Sequence, residues 1–271
     1  MPDLLYERVP FRPAEIEHRY GPSVHLLADP FLLGQLARLC APQTVQPEVN
    51  RLVQVLYARL AQVVMSAEFP RRVIEVPTRM AATSPEAVFR GEVPDPATRA
   101  VTVSILRAGA LPSQTVFDQL NWALDPRGVR QDHVIMSRML GERDEVVGAR
   151  VGGMKIGGDV EGAFLLFPDP MGATASSLSV AIETYRRQVP GTPRRIVAMH
   201  LVVTPEYLHS LTRQHPDVAV YAVRLDRGLS PPDVLGTVPG THWDRERGLD
   251  EHQYIVPGAG GLGEVLNNAN E

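Results

Sequence analysis

The sequence predicts an α/β fold, with a mostly parallel sheet covered by helices on both faces. Strand-like apolar runs alternate with helix-like segments between residues 100 and 225, which is the order typical of such sheets. Residues 163–167 are wholly apolar and are bounded by Gly162 and Pro168, the pattern of a strand buried on both faces. A chain of 271 residues is also long enough to bury a substantial core.

The first part of the chain is predicted to be mainly helical. Residues 1–29 have no clear period and are predicted to form an N-terminal arm, while residues 30–271 are predicted to form one domain. Apolar residues at helical spacing predict amphipathic helices over residues 30–40 and 46–65. A strand over residues 71–76 and a proline-broken polar connection over residues 78–99 follow.

The second part carries the alternating elements. Strands are predicted at residues 100–106, 133–137, 163–167, 195–203, 218–225 and 253–256, and helices at 111–122, from 178, and at 205–214. The glycine-rich residues 142–161 predict a mobile hairpin. A Pro/Gly-rich insertion spans residues 230–246, and its His242 and Trp243 are candidates for ligand contacts because insertions often carry them. The other histidines of these elements, His200, His209 and His215, are interpreted as structural.

Composition excludes several classes of protein. The 27 basic and 31 acidic residues form no basic tract, so no nucleic-acid surface is expected. The single cysteine, Cys40, excludes an internal disulfide and a thiolate metal cluster and fits a reducing compartment. No apolar run approaches the roughly 20 residues that span a bilayer, and no signal core is evident. We therefore expect a cytoplasmic protein without a membrane partner.

The strand ends carry the candidate functional residues. Asp169 follows the strand at residues 163–167, and small or hydroxyl residues at 172–177 then lead into a helix, whose first amides have no internal partners and attract anions. Arg107 and Arg138 follow two other strands, where open α/β sheets bind ligands. Taken alone, the small residues could mark only a tight turn, and an arginine only a surface ion pair.

Four blocks resemble the uracil phosphoribosyltransferase family. SILRAG at residues 104–109 is similar to that family's PILRAG, and DPMGATASS at 169–177 is similar to its DPMLATGGS motif for 5-phosphoribosyl diphosphate (PRPP). Residues 215–229 and 248–264 resemble HPDVELYTASIDQGL and GLNEHGYIVPGLGDAGD. The resemblance implies a type I phosphoribosyltransferase fold, with a hood and the glycine-rich hairpin over the site.

The resemblance also implies substrates and roles. PRPP would donate its phosphoribosyl group to uracil or a related base, and Mg²⁺ would be bound mainly by the substrate. The protein would form a homodimer or a larger assembly. Arg107, Arg138 and Asp169 would be the catalytic residues. The PRPP-binding set would be Arg107, Ala108, Gly109, Arg138, Lys155, Asp169, Met171, Gly172, Ala173, Thr174, Ala175, Ser176 and Ser177. The base-binding set would be Tyr254, Ile255, Gly260, Gly261 and Leu262.

Three departures from the family pattern leave alternatives open. Ala175 and Ser176 replace glycines of the PRPP motif, and Gly261 replaces an aspartate of the base loop. The insertion at residues 230–246 is expected beside the base site. A positive φ at either replaced glycine would strain this chain by roughly 1 to 2 kcal/mol. The alternatives are a catalytically divergent PRPP- or nucleotide-binding protein with a regulatory or accessory role, and a transferase that uses a different acceptor.

Overall fold

The computed structural model describes residues 4–140 and 146–269, and for residues 137–140 and 146–149 it describes the backbone alone. In chain order the elements are β1 (Val24–Leu26), α1 (Pro30–Leu39), α2 (Glu48–Glu68), β2 (Arg71–Pro77), β3 (Val88–Pro94), β4 (Ala100–Leu106), α3 (Ala110–Ala123), β5 (Val129–Leu140), β6 (Val146–Lys155), β7 (Phe164–Pro168), β8 (Met171–Gly172), α4 (Ser176–Gln188), β9 (Arg195–Val203), α5 (Pro205–Gln214), β10 (Ala219–Leu225), α6 (Pro232–Leu235) and α7 (Leu262–Val265).

The central sheet has the order β1-β10-β9-β7-β4-β5-β6, and the short β8 pairs with β9. Its strand pairs are parallel except β5 with β6, which form an antiparallel hairpin. The middle strand, β7, is buried along its whole length. The predicted α/β fold with a mostly parallel sheet is confirmed.

Helices cover both faces of this sheet because successive side chains of a strand point to opposite sides. On β7, Phe164 and Leu166 pack into a cluster with α1, α2 and α3. Leu165 and Phe167 pack into a second cluster with α4 and α5. Burying each such side chain stabilises the fold by about 1.5–3 kcal/mol. The alternating side chains of β7 therefore hold helices against both faces of the sheet. Among the described residues, no helix is both long and apolar enough to cross a membrane.

Several local predictions need correction. The connection predicted at residues 78–99 contains β3, which pairs with β2 as an antiparallel hairpin apart from the central sheet. The strand predicted at residues 253–256 is reduced to one bridge between Leu249 and Ile255, and the loop after it contains α7. In the segment predicted as an arm, β1 pairs with β10 at the sheet edge. The boundary at residue 29 stays a prediction.

The insertion at residues 230–246 is fastened to the N-terminal segment by a buried carboxylate. Glu246 is fully buried and forms an ion pair with Arg227 at 3.0 Å. It accepts hydrogen bonds from the Tyr20 hydroxyl and from the Gly240 amide, the latter at 2.8 Å. Burial and the neighbouring Glu246 raise the pKa of Tyr20 well above its usual value. The insertion is therefore part of the folded body.

We expect Glu246→Ala to lower the free energy of unfolding by about 3 kcal/mol, because it leaves Arg227 buried without its counter-charge. Chemical denaturation at neutral pH measures the change. Glu251→Ala is the control, since it removes an exposed carboxylate and should change the free energy by less than about 0.5 kcal/mol. A loss below about 1 kcal/mol for Glu246→Ala would contradict this account.

Candidate functional site

A cavity of about 710 Å³ opens at the edge of the sheet where β4 and β7 end. Parallel strands bring their carboxyl ends to one edge, which is where such sheets bind ligands. Three segments form the walls: the end of β4, the loop from β7 into α4, and the C-terminal loop around α7. The lining residues are Ile105, Leu106, Arg107, Ala108, Met136, Asp169, Met171, Ala173, Thr174, Ala175, Ser176, Ser177, Leu178, His200, Tyr207, His252, Gln253, Tyr254, Ile255, Gly260, Gly261, Leu262, Gly263 and Glu264.

Asp169 lies on the floor of this cavity, immediately after β7. Its amide donates to the Met199 carbonyl at 3.0 Å, which extends the pairing of β7 with β9. Burial raises the pKa of the Asp169 carboxyl to about 6, although the nearby Met171 amide opposes the shift. Ionised Asp169 therefore faces the cavity at neutral pH with little solvation of its own.

A histidine beneath the floor holds the Asp169 backbone. The Nδ1 atom of His200 lies 2.6 Å from the Asp169 carbonyl, and its Nε2 atom lies 2.5 Å from the Tyr207 hydroxyl. Burial lowers the pKa of His200 to about 4, so the ring is neutral, and its partners place the proton on Nδ1. Nδ1–H donates to the carbonyl while Nε2 accepts from Tyr207. The network makes His200 a rigid support.

The loop from β7 into α4 has the geometry of an anion site. Residues 173–177 all line the cavity, and α4 begins at Ser176, so its unpaired first amides lie at the wall. Thr204 Oγ1 donates to the Ala173 carbonyl at 2.7 Å and holds the loop. Ala175 has a φ of 67°. One of the two positions expected to need glycine is thus left-handed in this chain, and it is occupied by alanine.

Arg107 reaches the cavity from the end of β4. The Leu106–Arg107 peptide bond is cis, and the half-exposed Arg107 side chain donates from Nη2 to Glu264 Oε1 at 3.2 Å. Ala108 lines the cavity beside it. Gly109 lies behind the wall, because it is buried at the start of α3.

The C-terminal loop closes the opposite side and is tied down by acidic side chains. Asp226 accepts from the Gly258 amide at 2.8 Å, and Glu206 accepts from the Gly248 amide at 2.9 Å. These contacts fix the path of the predicted base-binding residues, which all line the cavity: Tyr254, Ile255, Gly260, Gly261 and Leu262.

Some predicted residues lie elsewhere. The Arg138 side chain lies outside the described residues. Lys155 is exposed on β6 and does not line the cavity, and Gly172 is buried behind the wall. The candidate ligand contacts of the insertion, His242 and Trp243, do not reach the cavity, because none of residues 230–246 lines it. Instead Trp243 packs edge-on against Tyr20, with ring centroids 4.9 Å apart.

Ten lining residues were absent from the predicted sets, and five of them carry polar side chains: His200, Tyr207, His252, Gln253 and Glu264. His252, Gln253 and Glu264 carried a weak signal, since all three lie in the block at residues 248–264. Gln253 replaces a glycine of the family string, while Glu264 keeps an acidic residue where the string has aspartate. His200 and Tyr207 reach the cavity only through the packing of β9 and α5. The described residues contain no group of three or more His, Cys, Asp or Glu side chains arranged to hold a metal ion.

Comparisons with known proteins show the family and the fold of this chain. The family model for uracil phosphoribosyltransferase matches residues 26–245. A curated relative of that name from Rhodococcus jostii (strain RHA1) is 27% identical over 244 residues, covering 90% of this chain and 97% of the relative. One from Variovorax paradoxus (strain S110) is 26% identical with the same coverage. The solved AQ2163 protein from Aquifex aeolicus shares the fold, with a TM-score of 0.66, 19% identity, and coverage of 90% and 97%.

We expect Ala175→Gly to raise the free energy of unfolding by about 1 kcal/mol. The left-handed conformation at φ 67° costs a non-glycine residue roughly 1 to 2 kcal/mol, and the unfolded-state entropy of glycine offsets part of the gain. Denaturant unfolding measures it. Ala173→Gly, in the same loop but without positive φ, should instead lower stability by about 0.5–1 kcal/mol. Equal changes in the free energy of unfolding for the two variants would contradict backbone strain at Ala175.

Asp169→Asn should stabilise the protein in a pH-dependent way. Because the folded-state pKa of about 6 lies above the ordinary value of 3.8, ionised Asp169 opposes folding fully above pH 6, and the penalty vanishes below pH 3.8. We expect a gain of about 2–3 kcal/mol at pH 7.5 that disappears near pH 4.

Unfolding curves at both pH values test this expectation. Asp125→Asn is the opposite-sign control, because hydrogen bonds from Arg127 lower the pKa of Asp125 to about 2. This variant should therefore be slightly less stable at neutral pH. A gain for Asp169→Asn that is the same at both pH values would refute the burial argument.

Proposed function

Because the chain belongs to the uracil phosphoribosyltransferase family, we propose that it transfers the phosphoribosyl group of PRPP to uracil and releases pyrophosphate. The observation that carries the proposal is one cavity with three different walls. It joins a carboxylate and an anion site on one side, an arginine on a second side and a backbone-rich loop on the third. Those are the groups that a phosphorylated sugar, a pyrophosphate and a base each need.

The ribose 5'-phosphate is assigned to the loop from β7 into α4. The amides at the start of α4 and the hydroxyls of Thr174, Ser176 and Ser177 would surround the phosphate oxygens. Asp169 would accept hydrogen bonds from the ribose hydroxyls. Its desolvated carboxylate gains most from such donors, since hydrogen bonds to an ionised group are strong in a poorly solvated site.

The pyrophosphate is assigned to Arg107 and the Ala108 backbone, with Arg138 and Lys155 as further predicted contacts. The residues fit Mg²⁺ only if the substrate supplies most ligands, because Asp169 and Glu264 are the carboxylates among the described lining residues. Bound Mg²⁺ would neutralise charge on the pyrophosphate. Arg107 would hold the same oxygens from the protein side.

The base is assigned to the C-terminal loop. Backbone amides and carbonyls at Ile255, Gly260 and Leu262 would pair with the polar edge of uracil, beside Tyr254 and Gly261. A base without matching groups would leave these backbone atoms unpaired, which is how a site rejects a wrong base.

The reaction needs orientation and charge placement more than a protein nucleophile. The bond between the anomeric carbon and the pyrophosphate oxygen breaks, and the pyrophosphate keeps the electron pair. The base nitrogen then bonds to the anomeric carbon, which has oxocarbenium character, and the base proton passes to solvent. Arg107 would stabilise the leaving charge, and the opposed walls would align the two reactants.

A transferase with a different acceptor is the second candidate. His252 and Gln253 line the cavity beside the base loop. Gln253 has a backbone φ of 64°, which residues other than glycine rarely adopt. The Gln253 side chain, where the family string has glycine, favours an acceptor with more hydrogen-bonding groups than uracil. A cytoplasmic location and a homodimer are part of the proposal for either acceptor, and a role in pyrimidine salvage is part of it for uracil.

An acceptor screen tests the function. The purified chain, PRPP and magnesium chloride are incubated with each of several pyrimidines and purines, and pyrophosphate and nucleotide are measured. We expect uracil to give UMP, with a kcat/KM that falls about 100-fold or more in Asp169→Asn. Turnover with another base but not uracil would support the second candidate, and no turnover with any base would overturn both.

A further inference from the structure

One ion pair crosses the cavity and joins its pyrophosphate side to its base side. Arg107 Nη2 donates to Glu264 Oε1 at 3.2 Å, and both residues line the cavity. The Glu264 side chain is only 22% exposed, while that of Arg107 is 52% exposed. The carboxylate is thus the more fixed partner.

The backbone that carries Glu264 is anchored from behind. In and next to α7, Leu262 and Leu266 are buried in the core. The Gln46 side chain donates to the Val265 and Leu266 carbonyls at 3.2 Å each. Glu264 therefore projects from a support packed against α2.

Gly261 makes room for this carboxylate. A Cβ atom built on Gly261 would approach Glu264 Oε2 more closely than real Cβ atoms approach other atoms. The separation resembles that between the Cβ and the carboxylate oxygens of a single aspartate. One Glu264 oxygen thus lies about where an oxygen of an aspartate at position 261 could lie, and the glycine lets the Glu264 side chain take this place without moving.

We propose that Glu264 is a positioning residue that orients Arg107 toward the pyrophosphate of PRPP, an inference that rests on the proposed function. A guanidinium carries five N–H donors. Among the described residues Glu264 takes one of them, and the remaining edge stays free for paired contacts with phosphate oxygens. Holding the long side chain in place before PRPP arrives reduces the entropy that binding must remove.

The test compares Glu264→Ala and Glu264→Gln with the wild type in PRPP and uracil kinetics, and measures PRPP affinity by calorimetry with magnesium chloride present. For Glu264→Ala we expect the KM and the Kd for PRPP to rise about 10-fold to 100-fold, with the KM for uracil changed less than twofold. Glu264→Gln, which keeps a hydrogen-bond acceptor, should show a smaller rise. Glu251→Ala removes an exposed carboxylate and is the charge-matched control.

A rescue variant separates positioning from a merely structural role. Gly261→Asp combined with Glu264→Ala returns a carboxylate oxygen to the neighbourhood of the Glu264 Oε2 position and should recover part of the PRPP affinity. Gly261→Asp alone crowds two carboxylates and should lose affinity. If Glu264→Ala instead raises the KM for uracil and spares that for PRPP, Glu264 only shapes the base loop and the proposal is wrong.

The two proposals fail in different ways. A wild type that binds PRPP without turning over any base contradicts the proposed function, while weaker PRPP binding by Glu264→Ala still supports the role of Glu264. Normal turnover by the wild type with unchanged PRPP affinity in Glu264→Ala, or no rescue in the double variant, overturns the role of Glu264 alone. Absence of PRPP binding to the wild type overturns both.

Discussion

The parallel pairing of β4, β7 and β9 is the constraint on which the cavity depends. Pro168 pairs with Met199 in the register of β7 and β9, and this places Asp169, just beyond the end of β7, next to His200 within β9. Backbone hydrogen bonds therefore set the position of the Asp169 backbone, and the His200 side chain supports it. The helical layers on both faces keep that register because β7 is buried in two clusters at once.

The sequence predicts the central sheet well because each of its inner strands must be apolar to be buried on both faces. The bounds of β4, β9 and α5 agree with the predicted ranges. Two of the strands that were missed, β1 and β3, lack such runs. They form strands because they pair with neighbours: β1 pairs with β10, and β3 pairs with β2. A pattern read along one segment contains little of that information.

The candidate site also contains residues that a local motif predicts and contacts that only tertiary packing creates. Asp169 and residues 173–177 come from one continuous motif, so their grouping around the cavity follows from local sequence. The pair of Arg107 with Glu264 joins positions 157 residues apart, and no local pattern predicts it. Proximity along the chain also misleads: the insertion is adjacent to the base loop in sequence, but Glu246 and Trp243 turn it toward Tyr20. Tertiary packing determines both the pairing of Arg107 with Glu264 and the position of the insertion.

The burial of Asp169 has an evolutionary consequence. Under the proposed function, selection must maintain at position 169 a carboxylate whose surroundings favour its neutral form. In a lineage released from that chemistry, neutral drift would favour an amide or another uncharged residue at position 169 before the core itself changed. The residue at this one position therefore distinguishes descendants that still process a phosphorylated sugar from those that keep only the scaffold.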